Sequence, residues 1–271
     1  MASPNSFINK LFDKLLGRKR GRAITVYPDD RFIVSYPRSG NTWLRFLISN
    51  LVNPDGEIGF GNIDEYIPGI YKIHDRDLRR VHRPRILKSH EYYHPAYRKV
   101  IYLVRDPRDT AVSNYFYLQK IRKLSANLSI DEYIDFFIAG SGYSYGSWGE
   151  HAGGWLGAWQ GTPDFLLLRY EDLHEKPLDE LAKVAQFLGL RSDPAILEQA
   201  IQKSTLNRMR QSEMENRHDW KAMRASRQDL LFVRNGLMNH WKTVLSAESA
   251  AKIDSAWENQ MILLGYENGS S

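Results

Sequence analysis

The chain has 271 residues and no cysteine, and its 37 Lys and Arg exceed its 32 Asp and Glu to give a net charge of +5. A chain of this length buries enough surface to fold without disulfides, and the composition excludes collagen-like and disordered chains, cysteine nucleophiles and cysteine-bound zinc. Because nothing indicates an oxidising compartment, the sequence predicts a cytoplasmic protein.

The excess of positive charge lies in the first 26 residues, and the rest of the chain is balanced. We therefore predict a basic N-terminal arm or short helix over residues 1–26 and a single domain over residues 27–271. A solvated arm, a helix docked on the domain and a surface-seeking helix all fit the arm. Nucleic-acid binders spread basic residues over a domain face, so we expect no nucleic-acid partner. No run of about 18 apolar residues and no signal pattern occurs, so we expect neither stable membrane insertion nor export.

Four short, continuous apolar runs are typical of strands that are covered on both faces. They lie at residues 31–36, 85–88, 99–104 and 164–169. Helical patterns lie between or after them, at 42–52, 107–120, 177–188, 194–202 and 247–264. Strands that alternate with helices predict an α/β fold with a central parallel β-sheet flanked by helices. Such sheets bind ligands at the carboxyl ends of their strands.

The first strand is followed by the loop PRSGNTW at residues 37–43. A tight turn at Gly40 leads into a helix that begins near Thr42, so that successive backbone N–H groups point at one spot. The Ser39 hydroxyl and the Arg38 cation add to it. The pattern predicts a phosphate site, with an ordinary polar turn as the alternative. It does not match the G-x-x-x-x-G-K-[ST] motif of nucleoside triphosphatases.

The second strand ends in Lys88, Ser89 and His90. Lys88 and His90 are two residues apart, so their side chains lie on the same side of a strand. An imidazole is a natural general base near neutral pH, and a lysine beside it can stabilise charge on a leaving oxygen. The alternative is a surface histidine without a chemical role.

The third strand ends at Arg105, and Asp106 and Pro107 begin the next helix, which carries Ser113 less than two turns along. The guanidinium and the hydroxyl can bind a second anion together. A structural ion pair between Arg105 and an aspartate is the alternative. The fourth strand runs into Tyr170, so polar groups collect at one edge of the sheet.

Six motifs follow the order in which they occur in one family. The segment YPRSGNTW at 36–43 resembles the 5′-phosphosulfate loop of the cytosolic sulfotransferases, and VIYLVRDPRDTAVS at 100–113 is similar to their 3′-phosphate motif. The other four are PRILKSH at 84–90, SYGSW at 144–148, LRYEDL at 168–173 and FVRNG at 232–236. The resemblance covers about residues 31–245. It implies the P-loop-nucleotide-kinase-like sulfotransferase fold.

The resemblance also implies the donor, 3′-phosphoadenosine 5′-phosphosulfate (PAPS), which leaves as 3′-phosphoadenosine 5′-phosphate (PAP). Its 5′-phosphosulfate would be bound by Arg38, Ser39, Gly40, Asn41 and Thr42. Its 3′-phosphate would be bound by Arg105, Ser113, Arg234, Asn235 and Gly236. Around the purine it places Trp43, Tyr170, Ser204 and Leu206. The catalytic residues that it implies are His90, Lys88 and Arg38.

Four of these positions depart from the usual family pattern. Arg38 stands where the family usually has a lysine, which keeps the cation but exchanges a compact ammonium for a fork of donors. Asn41 replaces a threonine-like residue. Asn235 replaces a basic residue, which predicts weaker binding of the 3′-phosphate. Leu206 replaces an aromatic partner of the purine.

The family implies a mechanism that follows from charge. His90 removes the proton of the acceptor hydroxyl or amine, while Arg38 and Lys88 stabilise the negative charge on the leaving phosphate. We expect no metal, because fixed cations and loop N–H groups neutralise that charge. A metal-dependent small-molecule phosphotransferase and a non-catalytic adenylate-binding module are the alternative functions.

The acceptor is expected to be a small molecule, but its identity stays open because fold does not choose among acceptors. In the family, the interval 57–78 forms part of the acceptor pocket, and its acidic residues favour a cationic acceptor or simply a solvated loop. The glycine- and aromatic-rich stretch 139–159 is either a mobile wall of the pocket or a packed helix. The family's dimer motif is half present, as Thr243, Val244 and Glu248, so the protein is predicted to be a monomer or a homodimer.

Overall fold

The computed structural model describes residues 23–71, 73–125, 127–140, 145–159, 161–216 and 225–266. Most of the predicted basic arm therefore lies outside the described residues. Four strands form one sheet: β1 (Arg31–Ser35), β2 (Ile86–Ser89), β3 (Lys99–Val104) and β4 (Phe165–Arg169). All pairs are parallel, in the order β2-β1-β3-β4. The predicted α/β fold with a central parallel sheet is confirmed.

The described residues also form helices, which flank the sheet. They are α1 (Asn41–Val52), α2 (Ile63–Tyr66), α3 (Asp75–Leu78), α4 (Pro107–Lys120), α5 (Ile130–Ile138), α6 (Trp148–Trp159), α7 (Tyr170–Glu175), α8 (Pro177–Leu188), α9 (Pro194–Lys203), α10 (Leu206–Asn216) and α11 (Ala247–Leu263), with a short 3₁₀ helix at His240–Thr243. Within this part of the chain, no helix is long and apolar enough to cross a membrane.

The five predicted helices occur with bounds within one residue of the prediction, because clear stop and start signals mark them. Proline opens α4, α8 and α9, where its missing N–H costs nothing, and Gly189 ends α8 in the left-handed conformation with φ 63°. The sequence left the stretch 139–159 open between a mobile wall and a packed helix, because it is rich in glycines, four of which lie in α6. The stretch 145–159 is thus helical from Trp148 onward.

Alternate residues of each strand enter opposite cores. On β1, Phe32 and Val34 join the core under α4, α5, α6 and α11, whereas Ile33 joins the core under α1, α8 and α9. On β3, Tyr102 and Ile101 divide in the same way. Both faces of the sheet are therefore covered, which explains why its strands read as continuous apolar runs.

The register brings the carboxyl ends of the strands level with one another. Val34 pairs with Ser89 on one side, and Ser35 pairs with Leu103 on the other. Leu103 in turn pairs with Leu168. The segments that follow the four strands consequently meet at one edge, where the site was predicted.

Candidate active site

The loop between β1 and α1 presents an open helix N-terminus. Arg38 and Gly40 both have left-handed backbones, with φ of 73° and 95°, and among the described residues no side chain caps α1. The Ser39 hydroxyl is completely buried and has no hydrogen-bond partner in the described part of the chain. Buried polar groups are normally paired, so a free hydroxyl beside uncapped N–H groups indicates an anion site.

Arg38 extends away from its own loop toward α4. Its Nε donates to Ser113 Oγ at 3.2 Å, and its Nη2 donates to the Phe232 carbonyl at 3.2 Å. The guanidinium lies over the rings of Tyr117 at 4.7 Å and Phe232 at 4.4 Å. Arg38 thus links the loop expected at the 5′-phosphosulfate to two segments expected at the 3′-phosphate.

Arg105 and Arg234 lie near Arg38, so three guanidinium groups face one region. Burial, together with the nearby charges of Arg38 and Arg105, lowers the pKa of Arg234 to about 10. Arg105 is 8% exposed; its Nη2 donates to the Leu237 carbonyl at 2.8 Å and lies 3.6 Å from Asp109. Its Nε has no partner among the described residues. The excess of positive charge needs an anionic ligand.

Tyr170 lies at the centre of these segments. Its hydroxyl donates to the Gly236 carbonyl at 2.7 Å, and Arg105 lies 4.4 Å above its ring. A Cβ on Gly40 would stand 2.5 Å from the Tyr170 Cδ2 atom, so the loop can approach the ring only because residue 40 is a glycine. Trp43 meets the same ring edge-on, with 5.6 Å between centroids.

The predicted purine residues fall into two groups. Trp43 and Leu206 pack beside the same small apolar cluster, and Leu206 Cδ1 lies 3.6 Å from where a Cβ of Gly236 would stand. Both residues lie near Tyr170: Trp43 contacts its ring, and the Tyr170 hydroxyl lies, like Leu206, beside Gly236. Ser204 is instead completely buried, and its hydroxyl accepts from Asn50 on α1 at 3.1 Å.

Asn41 also points inward. Its amide donates to the Ile33 carbonyl at 3.4 Å and to Ser35 Oγ at 3.1 Å, which leaves its backbone N–H as the group that faces the loop. Thr42 and Asn235 are half-buried beside the other residues of their segments. The structure therefore brings together the predicted groups of both phosphate sites, with Asn41 and Ser204 serving as internal hydrogen-bonding partners.

His90 follows β2 and is oriented by the neighbouring strand. Its Nδ1 lies 2.7 Å from the Ser35 carbonyl. A carbonyl only accepts, so Nδ1 carries the proton and Nε2 keeps a free lone pair. No hydrogen bond to Nε2 occurs within the described residues. The backbone N–H of His90 donates to the Tyr71 hydroxyl at 2.7 Å.

Burial lowers the pKa of His90 well below its usual value, and the nearby cation of Lys88 lowers it further. The Lys88 ammonium lies 5.7 Å from the centre of the Tyr71 ring. The rings of Tyr71 and Tyr145 lie 6.2 and 6.1 Å from the imidazole. The lowered pKa favours the neutral imidazole, which lies beside the rings of Tyr71 and Tyr145.

Two residues that orient His90 were not predicted from the sequence. The Ser35 carbonyl carries no side-chain signal at all, so only the register of β1 and β2 identifies it. Tyr71 lies in the interval 57–78 that the family resemblance assigns to the acceptor side, but one tyrosine among several cannot be singled out there.

The residues present fit a nucleotide that carries anionic groups at two positions. In the described part of the chain, two buried polar atoms at the sheet edge lack a hydrogen-bond partner: Ser39 Oγ in the loop after β1 and Arg105 Nε after β3. The neutral imidazole of His90 follows β2 at the same edge. Among the described residues, no group of three or more His, Asp or Glu is placed to bind a metal ion. Two anion sites and an imidazole at the edge of a parallel sheet are the arrangement expected of a nucleotide-dependent group transferase.

Comparison with known proteins identifies the group that is transferred. A family model for the sulfotransferase domain matches residues 28–265. Sulfotransferase 2A2 of Rattus norvegicus is 30% identical over 261 residues, which are 92% of this chain and 90% of that protein. The 3-beta-hydroxysteroid sulfotransferase of Cavia porcellus is 28% identical over 246 residues, which are 87% and 85% of the two chains.

A solved structure agrees with these matches. Mouse sulfotransferase SULT7A1, crystallised in complex with PAP, has a TM-score of 0.70 and 25% sequence identity, and the match covers 88% of this chain and 85% of that one. The chain belongs to the sulfotransferase family. The predicted resemblance, the predicted sulfotransferase fold and the prediction of an enzyme are confirmed. The comparisons support neither the phosphotransferase nor the non-catalytic adenylate-binding module.

Proposed function

We propose that the protein transfers a sulfuryl group from PAPS to a hydroxyl or amine of a small-molecule acceptor, with His90 as the general base. Family membership and the PAP bound by the mouse relative support PAPS as the donor and PAP as the product. One observation carries the assignment of the site: the guanidinium groups of Arg38, Arg105 and Arg234 share one region at the sheet edge.

The residues divide the chemistry between them. PAPS, when bound, supplies the sulfuryl group. Ser39, Gly40 and the first N–H groups of α1 bind the 5′-phosphosulfate, and Arg105, Ser113 and the segment 234–236 bind the 3′-phosphate. The Arg38 guanidinium lies between these two sets, so it balances negative charge on either phosphate.

His90 Nε2 takes the proton from the acceptor. The bond from Nδ1 to the Ser35 carbonyl keeps the lone pair on Nε2 and stabilises the imidazolium that forms. Lys88 opposes that extra positive charge on His90 but stabilises negative charge that develops on the leaving oxygen beside it. A pKa below the usual value keeps the base unprotonated at neutral pH.

Binding of PAP to the purified protein tests the donor site without any acceptor. We expect tight binding of PAP in EDTA, unchanged by Mg²⁺, and much weaker binding of ATP under both conditions. ATP binding that requires Mg²⁺ would contradict the proposal. The same titration tests the expectation that no metal takes part.

The His90→Asn variant tests the general base. We expect turnover of a screened acceptor to fall by about 10²–10⁴-fold, because the amide cannot take the proton, while PAP affinity stays the same. The transfer of label from radiolabelled PAPS to the acceptor measures turnover directly. Unchanged turnover would show that another group is the base.

The proposal also covers the location, the domain organisation and the oligomeric state of the protein. We infer a cytoplasmic location from the absence of cysteine. We also infer that residues 27–271 form one catalytic domain and that the basic residues 1–26 form an arm before it. The half-present dimer motif leaves the choice between monomer and homodimer to be measured, for which light scattering of the purified chain is sufficient.

A further inference from the structure

A second histidine, His151, lies directly behind the candidate base. It belongs to α6 and its side chain is completely buried. Its Nε2 lies 3.0 Å from the Glu91 carbonyl, and its Nδ1 lies 2.9 Å from the Tyr102 hydroxyl on β3. The carbonyl only accepts, so the proton is on Nε2 and Nδ1 accepts from Tyr102. Both ring nitrogens are therefore satisfied and the tautomer is fixed.

The segment that contains His90 is docked on α6 at consecutive residues. The Glu91 carbonyl accepts a second hydrogen bond, from Trp155 Nε1 at 3.1 Å. The Tyr92 ring packs on α6 at Gly154, which has no side chain. A Cβ at that position would stand 2.7 Å from Tyr92 Cζ, so the contact requires glycine. The backbone that follows β2 thus cannot shift along the helix without breaking these contacts.

We propose that His151 is a positioning residue for His90: it holds the peptide after His90 so that the imidazole keeps Nδ1 on the Ser35 carbonyl and Nε2 toward the acceptor. The inference rests on the proposed function, since it matters only where His90 is the base. It adds a role for a residue whose two ring nitrogens bond to Tyr102 and Glu91.

The alternative is that His151 merely fills the core. An aliphatic side chain fills space without the cost of burying an imidazole, whereas this imidazole needs two partners to offset that cost. One of those partners is the peptide next to His90. Burial lowers the pKa of His151 to about 4, so its Nε2 donates in the neutral form throughout the range in which the enzyme is expected to work.

The experiment compares three variants of the full chain. His151→Leu removes both hydrogen bonds, and His151→Gln keeps an amide N–H able to reach the Glu91 carbonyl. Leu156→Ala is the control, because Leu156 is buried on the same helix and the same core but is not bonded to residues 90–92. For each variant we would measure thermal stability, PAP affinity, kcat and the ¹⁵N shifts of the His90 ring.

We expect His151→Leu to lower kcat by about 10²-fold, as a misplaced catalytic group does, while PAP affinity stays the same. The ¹⁵N shifts should show that His90 no longer keeps a single Nδ1–H tautomer. His151→Gln should restore most of kcat, and Leu156→Ala should lose stability but keep kcat. If His151→Leu keeps the kcat of the control, or leaves the His90 shifts as in the native chain, the inference is wrong.

Tyr102→Phe covers the case in which the leucine variant does not fold. It keeps the ring but removes the hydroxyl that bonds to His151 Nδ1, which leaves that buried nitrogen without a donor and loosens the imidazole. We therefore expect lower kcat with unchanged PAP affinity; unchanged kcat overturns the inference. The ¹⁵N shifts need no turnover, which separates the two proposals. If His90→Asn stays active but His151→Leu changes the His90 tautomer, the proposed base is wrong and the positioning contact still stands.

Discussion

At the scale of single residues, the Tyr170 ring packs against the backbone of Gly40 in the loop between β1 and α1, which we call the anion loop. The loop needs a left-handed backbone at residue 40, with φ 95°, and it needs the ring within reach of that backbone. Any side chain at position 40 violates both requirements at once. The glycine therefore sets how close the loop comes to the ring that also contacts Arg105 and Gly236.

Two Gly→Ala substitutions should have opposite effects. Gly40→Ala should lower the free energy of unfolding by about 1–3 kcal/mol through strain and weaken PAP binding. Gly157→Ala should raise it by about 0.5–1 kcal/mol, because Gly157 is exposed in α6 and no atom lies within 4 Å of its added Cβ. Urea unfolding and PAP titration measure both effects. A Gly40→Ala protein with native stability and affinity would contradict the close approach.

The chemistry-bearing residues could be predicted because the chain positions them directly after strands. Arg38, His90 and Arg105 each follow a strand within a few residues, so the fold class alone brings them to one edge. The directions of side chains could not be predicted. Asn41 turns toward Ser35 because that hydroxyl lies within reach below the loop, a fact that depends on tertiary structure.

At the scale of elements, the segment 225–239 has no helix or strand, yet it carries Arg234 and Gly236. Side chains of α4 and α10 hold its backbone. Glu213 accepts from the N–H groups of Phe232 and Val233 at 2.6 and 2.8 Å. Lys120 donates to the carbonyls of Arg227 and Leu230 and lies 3.6 Å from Glu213. These bonds replace the ladder that a strand would provide.

Removal of this buried lysine should cost far more than removal of an exposed one. Lys120→Met leaves the Glu213 carboxylate buried without its cation, so we expect a loss of about 3–5 kcal/mol in unfolding free energy and weaker PAP binding. Lys183→Met breaks the pair with Glu180, in which the lysine is 59% exposed, and should change stability by less than about 1 kcal/mol. Equal effects in urea unfolding would show that the buried pair does not hold the segment.

The sequence predicted the four strands and five of the helices, but the prediction missed α5 even though a capping box of Ser129 and Glu132 marks its start. The strands and the proline-led helices needed no tertiary information. By contrast, α10 is polar over most of its length, and its position depends on contacts with Phe60 and with the segment 225–239. The order of the strands is likewise a property of how the helices cover both faces.

At the scale of the whole molecule, the sheet edge buries two neutral histidines. The pKa of His151 is lowered to about 4 and that of His90 is lowered well below its usual value, in both cases chiefly by burial. Groups whose pKa is lower in the folded chain bind fewer protons there than in the unfolded chain. The contribution of the two histidines to the free energy of unfolding is therefore fully present above pH 6.5, and it is lost progressively as the pH drops below that value.

Acid should destabilise the protein through these two histidines as the pH falls below 6.5. For His151 alone, the difference between 6.5 and about 4 corresponds to a loss of roughly 3 kcal/mol by pH 4. Urea unfolding at a series of pH values from 8 to 4.5 measures the slope, and His151→Gln should flatten it. A native chain equally stable at pH 8 and pH 5 would show that these imidazoles are solvated.

Ser35 is where the anion loop and the imidazole meet: its hydroxyl accepts from Asn41, and its carbonyl accepts from His90. A single residue at the end of β1 therefore holds both the loop and the imidazole. A redesign of the loop for a different activated donor must keep Ser35 in place, because a shift of its carbonyl would also move His90. Tyr71 and Tyr145, whose rings lie 6.2 and 6.1 Å from the imidazole, come from other segments of the chain. The acceptor side can therefore change without a change at Ser35.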